Sequence, residues 1–265
     1  MKFSIVTISF NQAEFLERAM RSVLTQTGVD VEYIVVDPGS TDGSREIIER
    51  YRDQLAHVVF EKDDGPADGL NKGFARATGD WYGYINSDDW YFLGGLAAAA
   101  QAAERQSDVG ALVGHGAIVD VRDDIIRASY SKRFSLAAAS MGSAFALQQA
   151  TFYRADVFRA IGGFNAANCT CWDGEILIDI AQAGYKVARY DAKVGAFRIH
   201  GQSITGSGRL NDRYRDDQNR LFRKIRGRPM TAWDRQVLSR LYRLGSNLTD
   251  PGRSWRIASE RLSRA

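Results

Sequence analysis

The residues best equipped for chemistry stand at the ends of apolar runs. Asp88 and Asp89 lie side by side behind Asn86 and Ser87 in "GDWYGYINSDDW", residues 79–90. Like charges at that spacing repel, and a carboxylate near a core resists ionising unless something positive compensates. A hard dication, Mg²⁺ or Mn²⁺, meets both needs: it takes oxygen ligands and commonly bridges one or two carboxylates to substrate phosphates. It would also neutralise a departing diphosphate as a Lewis acid. A solvated acidic turn is the plainer reading. Asp37 closes a second run in "VVDPGSTDGS", where a carboxylate can accept from a uracil imide N–H or from ribose hydroxyls. The Gly/Ser/Thr turn behind it lets backbone approach a nucleotide closely. Its alternative is an Asx turn leading into a helix cap. A third stretch, "DDGPADGLNKG" (63–73), offers an acid, an amide and Lys72 at a helix start, which suits a phosphate as well as it suits a solvated loop. Neither a P-loop nor a dinucleotide fingerprint occurs.

These groups need a scaffold that brings them together. Residues 3–10 (FSIVTISF), 31–37 (VEYIVVD), 57–61 (HVVFE) and 81–86 (WYGYIN) read as buried strands. Helical spacing covers 13–26, with Asn11 as its cap, then 44–55 capped by Thr41 or Asp42, then 66–77 and 93–105. Strands alternating with helices of this length imply βαβ units and a doubly wound, mostly parallel sheet of the α/β class. Ligands bind at the carboxyl ends of such strands. Asn11, Asp37, Asp63/Asp64 and Asp88/Asp89 all fall there, so one sheet edge collects the polar residues. Further on, 111–121, 125–134, 145–154, 186–190 and 195–201 read as strands, and 174–184 as a helix ended by Gly184. From Leu210 the chain reads as helical and Arg-rich, with breaks at 227–229 and 250–252.

The chain of 265 residues, 45% hydrophobic and 25% charged, has the composition of a soluble globular protein. No apolar run approaches the ~18–20 residues of a membrane span. The N-terminus reads as a strand, without a signal-peptide pattern. Cys169 and Cys171 are too close for an easy disulfide and too few for a structural zinc site; they read as thiols in a reducing cytoplasm. The net charge of +3 hides an asymmetry, since residues 209–265 hold 15 Lys/Arg against 6 Asp/Glu. That basic tail reads either as solvated helices on the catalytic domain or as an attraction to anionic lipid at the inner membrane face, through Arg220, Arg223, Lys224, Arg226 and Arg228. No motif supports nucleic-acid recognition.

Four linked stretches, "VTISFNQAEFLERAMRSVLTQ", "YIVVDPGSTDGSREII", "DDGPADGLNKGFARATGDWYGYINSDD" and "GGFN", follow one another in a telling order. Over 3–205 the chain resembles the family 2 glycosyltransferases, inverting enzymes of the GT-A fold that use nucleotide-diphosphate sugars. The resemblance implies a domain over 1–208, with a nucleotide-sugar and metal half (1–105), an acceptor and base half (106–208), and a helical extension (209–265). It implies a donor site over Thr7, Phe10, Asn11, Asp37, Ser40, Asp68, Asn71 and Lys72. The family's D-x-D metal element maps onto Asn86-Ser87-Asp88, so Asp88 carries the metal contact, with Asp89 toward the sugar and His200 able to reach the metal or diphosphate. Pro38 and Leu70 stand where relatives often have a second Asp and an Arg. "CWDGEILIDIAQAGYKV" resembles the base segment, which places the general base at Asp173 with Glu175 in reserve. The implied reaction moves a sugar to a saccharide or lipid-linked acceptor hydroxyl, in polysaccharide or glycolipid assembly. Clustered acids with nucleotide contacts also fit a metal-dependent phosphohydrolase or nucleotidyltransferase, and Asn86 leaves room for a non-catalytic nucleotide-sugar-binding protein.

Overall fold

The computed structural model describes residues 1–201, 210–248 and 250–262. Its centre is a nine-stranded sheet: β1 (Lys2–Ile8), β2 (Asp30–Val36), β3 (His57–Val59), β4 (Trp81–Asn86), β5 (Trp90–Tyr91), β6 (Val109–Val119), β7 (Ile125–Ser129), β8 (Thr151–Arg154) and β9 (Lys186–Arg198). The order is β3-β2-β1-β4-β8-β6-β9-β5, with β7 on β6. The first four strands are parallel, joined by α1 (Ala13–Leu24), α2 (Ser44–Arg50) and α3 (Pro66–Phe74), as the alternating pattern predicts. Beyond β4 the sheet is mixed: β8 is antiparallel to β4 and β6, while β6 and β9 run parallel.

Two apolar layers sandwich this sheet. On one face α1 and α4 (Gly95–Arg105) set Leu16, Met20, Leu96 and Ala99 against Phe3, Ile5 and Trp81. On the other, α3, α6 (Ala155–Ala160) and α7 (Trp172–Gln182) set Leu70, Phe74, Phe158 and Ile176 against Val6, Ile34, Tyr82 and Tyr84. Leu70 is fully buried there, a core position. A short α5 (Leu136–Ser140) precedes β8. The Arg-rich extension forms α8 (Asn211–Arg226), a π-helical turn (Asp234–Leu238), α9 (Ser239–Leu248) and α10 (Pro251–Leu262).

Register positions the site. Ile8 pairs with Val36 on one side and Asn86 on the other, and Val36 pairs with Val59. The carboxyl ends of four strands therefore finish level. Because β8 runs against β4, the residues before Thr151 lie beside the end of β4. Because β9 runs against β5, Arg198 arrives beside Asp88 and Asp89.

Several elements depart from the periodicity. Residues 145–154, expected as one strand, contribute only β8; Gln148–Ala150 form a 3₁₀ turn that aims two glutamines at the β4 end. The two strands expected at 186–190 and 195–201 are one continuous β9. Asn11 does not cap α1: it adopts φ +52°, and its side-chain oxygen accepts the Thr41 N–H. The Ala13 N–H is instead capped by the Asp42 carboxylate, across from the neighbouring loop, at 2.8 Å. The expected domain boundary at 208 lies outside the described residues.

Candidate active site

The loops after β1 and β2 are stitched together. Asn11 N–H donates to Ser40 Oγ at 2.8 Å, Gln12 N–H to Ser44 Oγ, and Ala13 N–H to Asp42. Inside this frame Asp37 is fully buried. Its Oδ1 accepts from Gly39 N–H, Ser40 N–H and Arg45 Nε, at 3.0, 2.8 and 3.1 Å. Its Oδ2 is buried with no hydrogen bond among the described residues. Arg45 also stacks on Phe60, 4.5 Å from the ring centre, where the chain leaves β3. Phe10 is exposed at the same edge. Thr7 faces the other way: its hydroxyl is held by Tyr33 inside the core at 2.8 Å, so its side chain offers no surface to a ligand.

At the end of β4 the two acids separate in role. Asp88 Oδ2 lies 2.9 Å from His200 Nε2, although 112 positions separate them in sequence. Asp89 is buried, and both its oxygens are engaged. Oδ1 accepts Arg198 N–H at 2.9 Å, and Oδ2 accepts from Gln149 and Asn86 at 2.6 and 3.2 Å. Burial, then the Asp88 charge, pushes the Asp89 carboxyl well above the usual range. The expectation that Asp89 faces a sugar is therefore corrected: it braces the loop, while Asp88 carries the accessible oxygen. Arg198 adds a second brace, donating to Asp88 O and pairing with Asp123 at 2.7 Å. Among the described residues no three His, Cys, Asp or Glu side chains converge as a metal cage.

The stretch at 63–73 is likewise self-satisfied. Lys72 Nζ donates to Asp68 Oδ2 at 2.7 Å and to Lys62 O, and Asp68 also accepts Asp64 N–H. Asn71 clamps the "GGFN" turn, donating to Phe164 O and accepting Phe164 N–H at 2.8 and 2.9 Å. It is a bracket between halves of the molecule, 93 positions apart. Asp63 stays half-buried, with burial raising its carboxyl.

Asp173 opens α7. Burial raises its carboxyl, partly offset by the Gly174 N–H and its own N–H. Among the described residues no cationic side chain forms an ion pair with it. Next to it Trp172 Nε1 donates to the Tyr84 hydroxyl at 3.0 Å, which pins α7 to the strand that ends at Asn86. The Tyr153 hydroxyl, buried near Asp173, makes no hydrogen bond among the described residues. Glu175 has the opposite character. Burial would raise it, yet Arg220, Lys224, Asn168 and Asn165 outweigh that and hold it at about 2. Arg220 grips both oxygens at 2.7 Å and Lys224 one at 2.9 Å. So tied, Glu175 cannot serve as the reserve base; it anchors α8 to α7.

The sequence profile of glycosyl transferase family 2 matches residues 4–162, more than half of the chain. The chain belongs to that family. An uncharacterized glycosyltransferase of Nostoc sp. is 30% identical over 213 residues, covering 76% of this chain and 66% of the relative. Among solved structures, S. aureus TarS 1-349 in complex with UDP-GlcNAc superposes with a TM-score of 0.66 at 17% identity, over 94% of this chain and 73% of that one. The mannosyltransferase PcManGT from Pyrobaculum calidifontis, in complex with GDP-Man and Mn²⁺, gives 0.66 at 17%, over 99% and 80%. These likenesses confirm the GT-A fold expected from the motifs.

The sequence motifs do not point to Arg45, Gln148, Gln149, Tyr84, Tyr153 or Arg198. Paired glutamines inside an otherwise apolar segment were the available signal for two of them, because buried amides need partners. Nothing local marks Arg198 or the Tyr84 hydroxyl, whose partners Asp89 and Trp172 lie 109 and 88 positions away.

Proposed function

We propose that this chain is an inverting glycosyltransferase that moves a sugar from a nucleotide-diphosphate donor to an acceptor hydroxyl in polysaccharide or glycolipid assembly. The observation that carries this reading is the unsatisfied Asp37 Oδ2, buried at the same sheet edge as the Asp88–His200 pair. A buried acceptor oxygen without a donor is costly. The N–H of a nucleobase would satisfy it, and Arg45 locks the other oxygen so that Oδ2 stays aimed. Uracil, thymine and guanine carry an imide or lactam N–H; cytosine and adenine do not. The site therefore favours uridine, deoxythymidine or guanosine diphosphate donors.

Asp88 and His200 supply one carboxylate oxygen and one imidazole nitrogen, a donor set that fits Mn²⁺ or Mg²⁺ only if diphosphate oxygens and water complete the coordination. When bound, such an ion stabilises the charge on the departing diphosphate. The protein's own part is to hold Asp88 through Arg198 and to present Asp173, which forms no ion pair among the described residues. Asp173 then takes the acceptor hydroxyl proton as that oxygen attacks the anomeric carbon from the face opposite the diphosphate. A raised carboxyl serves here because a base works best near the working pH. Phe10 and the Asn11–Ser40 loop frame the nucleoside, and Asp68–Lys72 stands as a neutralised pair at the phosphate side.

Donor turnover tests the reading. Nucleoside diphosphate release that depends on an acceptor hydroxyl, and is lost in Asp173→Asn, supports it. Release of inorganic phosphate from the donor without an acceptor would favour a phosphohydrolase instead. Asp88→Ala and His200→Ala should each remove the Mn²⁺-dependent part of donor binding and spare nucleoside binding.

A further inference from the structure

The cation cluster expected to reach lipid is largely consumed within the fold. Arg220 and Lys224 hold Glu175, Arg226 donates to Ser140 Oγ, and Arg228 holds the buried Asp234. The lipid-facing features lie further along. Trp233, Val237, Leu241 and Leu244 are 58%, 39%, 56% and 64% exposed. Their spacing of four, four and three residues puts them on one face of the π turn and α9. Asp234, on the flank of this stripe, is buried against Arg228 and Thr231, and Ser239, on its far side, is buried as well. Arg235 and Arg240 are exposed along the same helix, and Trp255 on the neighbouring α10 is 72% exposed.

We infer that this face docks on an anionic lipid surface. An apolar stripe with tryptophan at its end and arginines beside it is the make-up of a helix that lies in a membrane interface. The charge of the extension, 15 Lys/Arg against 6 Asp/Glu, complements acidic headgroups. A second copy of the chain is a poor occupant, because a two-fold contact would set this basic face against itself. Among the described residues no helix is long and apolar enough to cross a bilayer, and the contact inferred is one of a helix lying in the interface. The geometry also couples the face to the site: α9 follows the Asp234–Arg228 anchor, Arg228 follows α8, and α8 is clamped to α7, the helix of Asp173.

Vesicle co-sedimentation tests this without reference to catalysis. The purified chain should pellet with phosphatidylcholine vesicles containing phosphatidylglycerol and remain in solution with phosphatidylcholine alone. The variant Trp233→Ser/Leu241→Ser/Leu244→Ser should lose at least about tenfold in partitioning, since it removes three apolar anchors, while keeping the wild-type thermal midpoint. Should that variant fold poorly, the blue shift of tryptophan emission on adding anionic vesicles, smaller in Trp233→Phe and absent in Trp233→Phe/Trp255→Phe, gives the same readout. The inference is overturned if the wild type stays in solution with anionic vesicles, if it binds both vesicle types equally, or if the triple variant pellets unchanged. A concentration-dependent dimer abolished by the triple substitution would assign the face to a second copy and overturn it as well.

Discussion

Asp173 and Glu175, two residues apart on one helix, show how environment separates identical chemistry. One carboxyl is desolvated with no ion-paired cation among the described residues and rises; the other is desolvated with two cations and falls to about 2. Asp173→Asn should therefore cut the transfer rate by roughly 10²–10⁴ with little effect on donor binding, as steady-state kinetics would show. The acid limb of kcat/KM should lie above the ~3.9 of an ordinary aspartate, activity falling as the base is protonated. Glu175→Gln should instead cost about 2–3 kcal/mol in urea unfolding. That is below the usual range for a broken buried pair, because Arg220 and Lys224 still reach water. Its folded pKa is depressed, so its contribution is complete above about pH 4.5 and fades as pH falls toward about 2. The slope of stability between those values should be shallower in the Gln variant, the rest coming from other depressed carboxyls such as Glu32.

At the scale of elements, the site is held by brackets between loops. Asp42 caps α1 with one oxygen and accepts Ser44 N–H and Oγ–H with the other. Asp42→Ala should lose about 1 kcal/mol or somewhat more, since it uncaps two helix starts together. Asn71→Ala should lose about 1–3 kcal/mol, because the Phe164 N–H and C=O are left to find new partners; thermal melts of both variants check this. The same brackets explain what the sequence made legible. The strands β1, β2 and β4, the helices between them and the acids at their ends are written in local periodicity and turn residues. Asp37 and Asp88 could be chosen because each ends such a run. The roles of Asp89, Asn71 and Thr7 could not, because each is decided by a partner well along the chain: Arg198 and Gln149, Phe164, and Tyr33. The 3₁₀ turn at 148–150 was hidden for a similar reason. Its glutamines mimic a buried strand until the end of β4 is there to receive their amides.

At the scale of the molecule, the basic extension is integral to the α/β body. Leu221 packs with Cys171 and Ile178, and Phe222 is fully buried. Removing residues 210–265 should expose that apolar contact and strand Glu175 without its cations. The truncated chain should then unfold at markedly lower temperature than Glu175→Gln. The proposed donor site at the strand edge depends on Asp37 as its base-reading group. The most direct measurement is the thermal shift of the wild type and of Asp37→Ala with uridine, guanosine, deoxythymidine, cytidine and adenosine diphosphates, each with and without Mn²⁺. A ligand at about 100 times its Kd stabilises the fold by about 2.7 kcal/mol. A nucleotide-sugar site read by Asp37 should give such a shift for one or more of the first three, enlarged by Mn²⁺ and lost in Asp37→Ala, and little for cytidine or adenosine. No shift with any nucleotide, or an equal shift with adenosine diphosphate that survives Asp37→Ala, would contradict it.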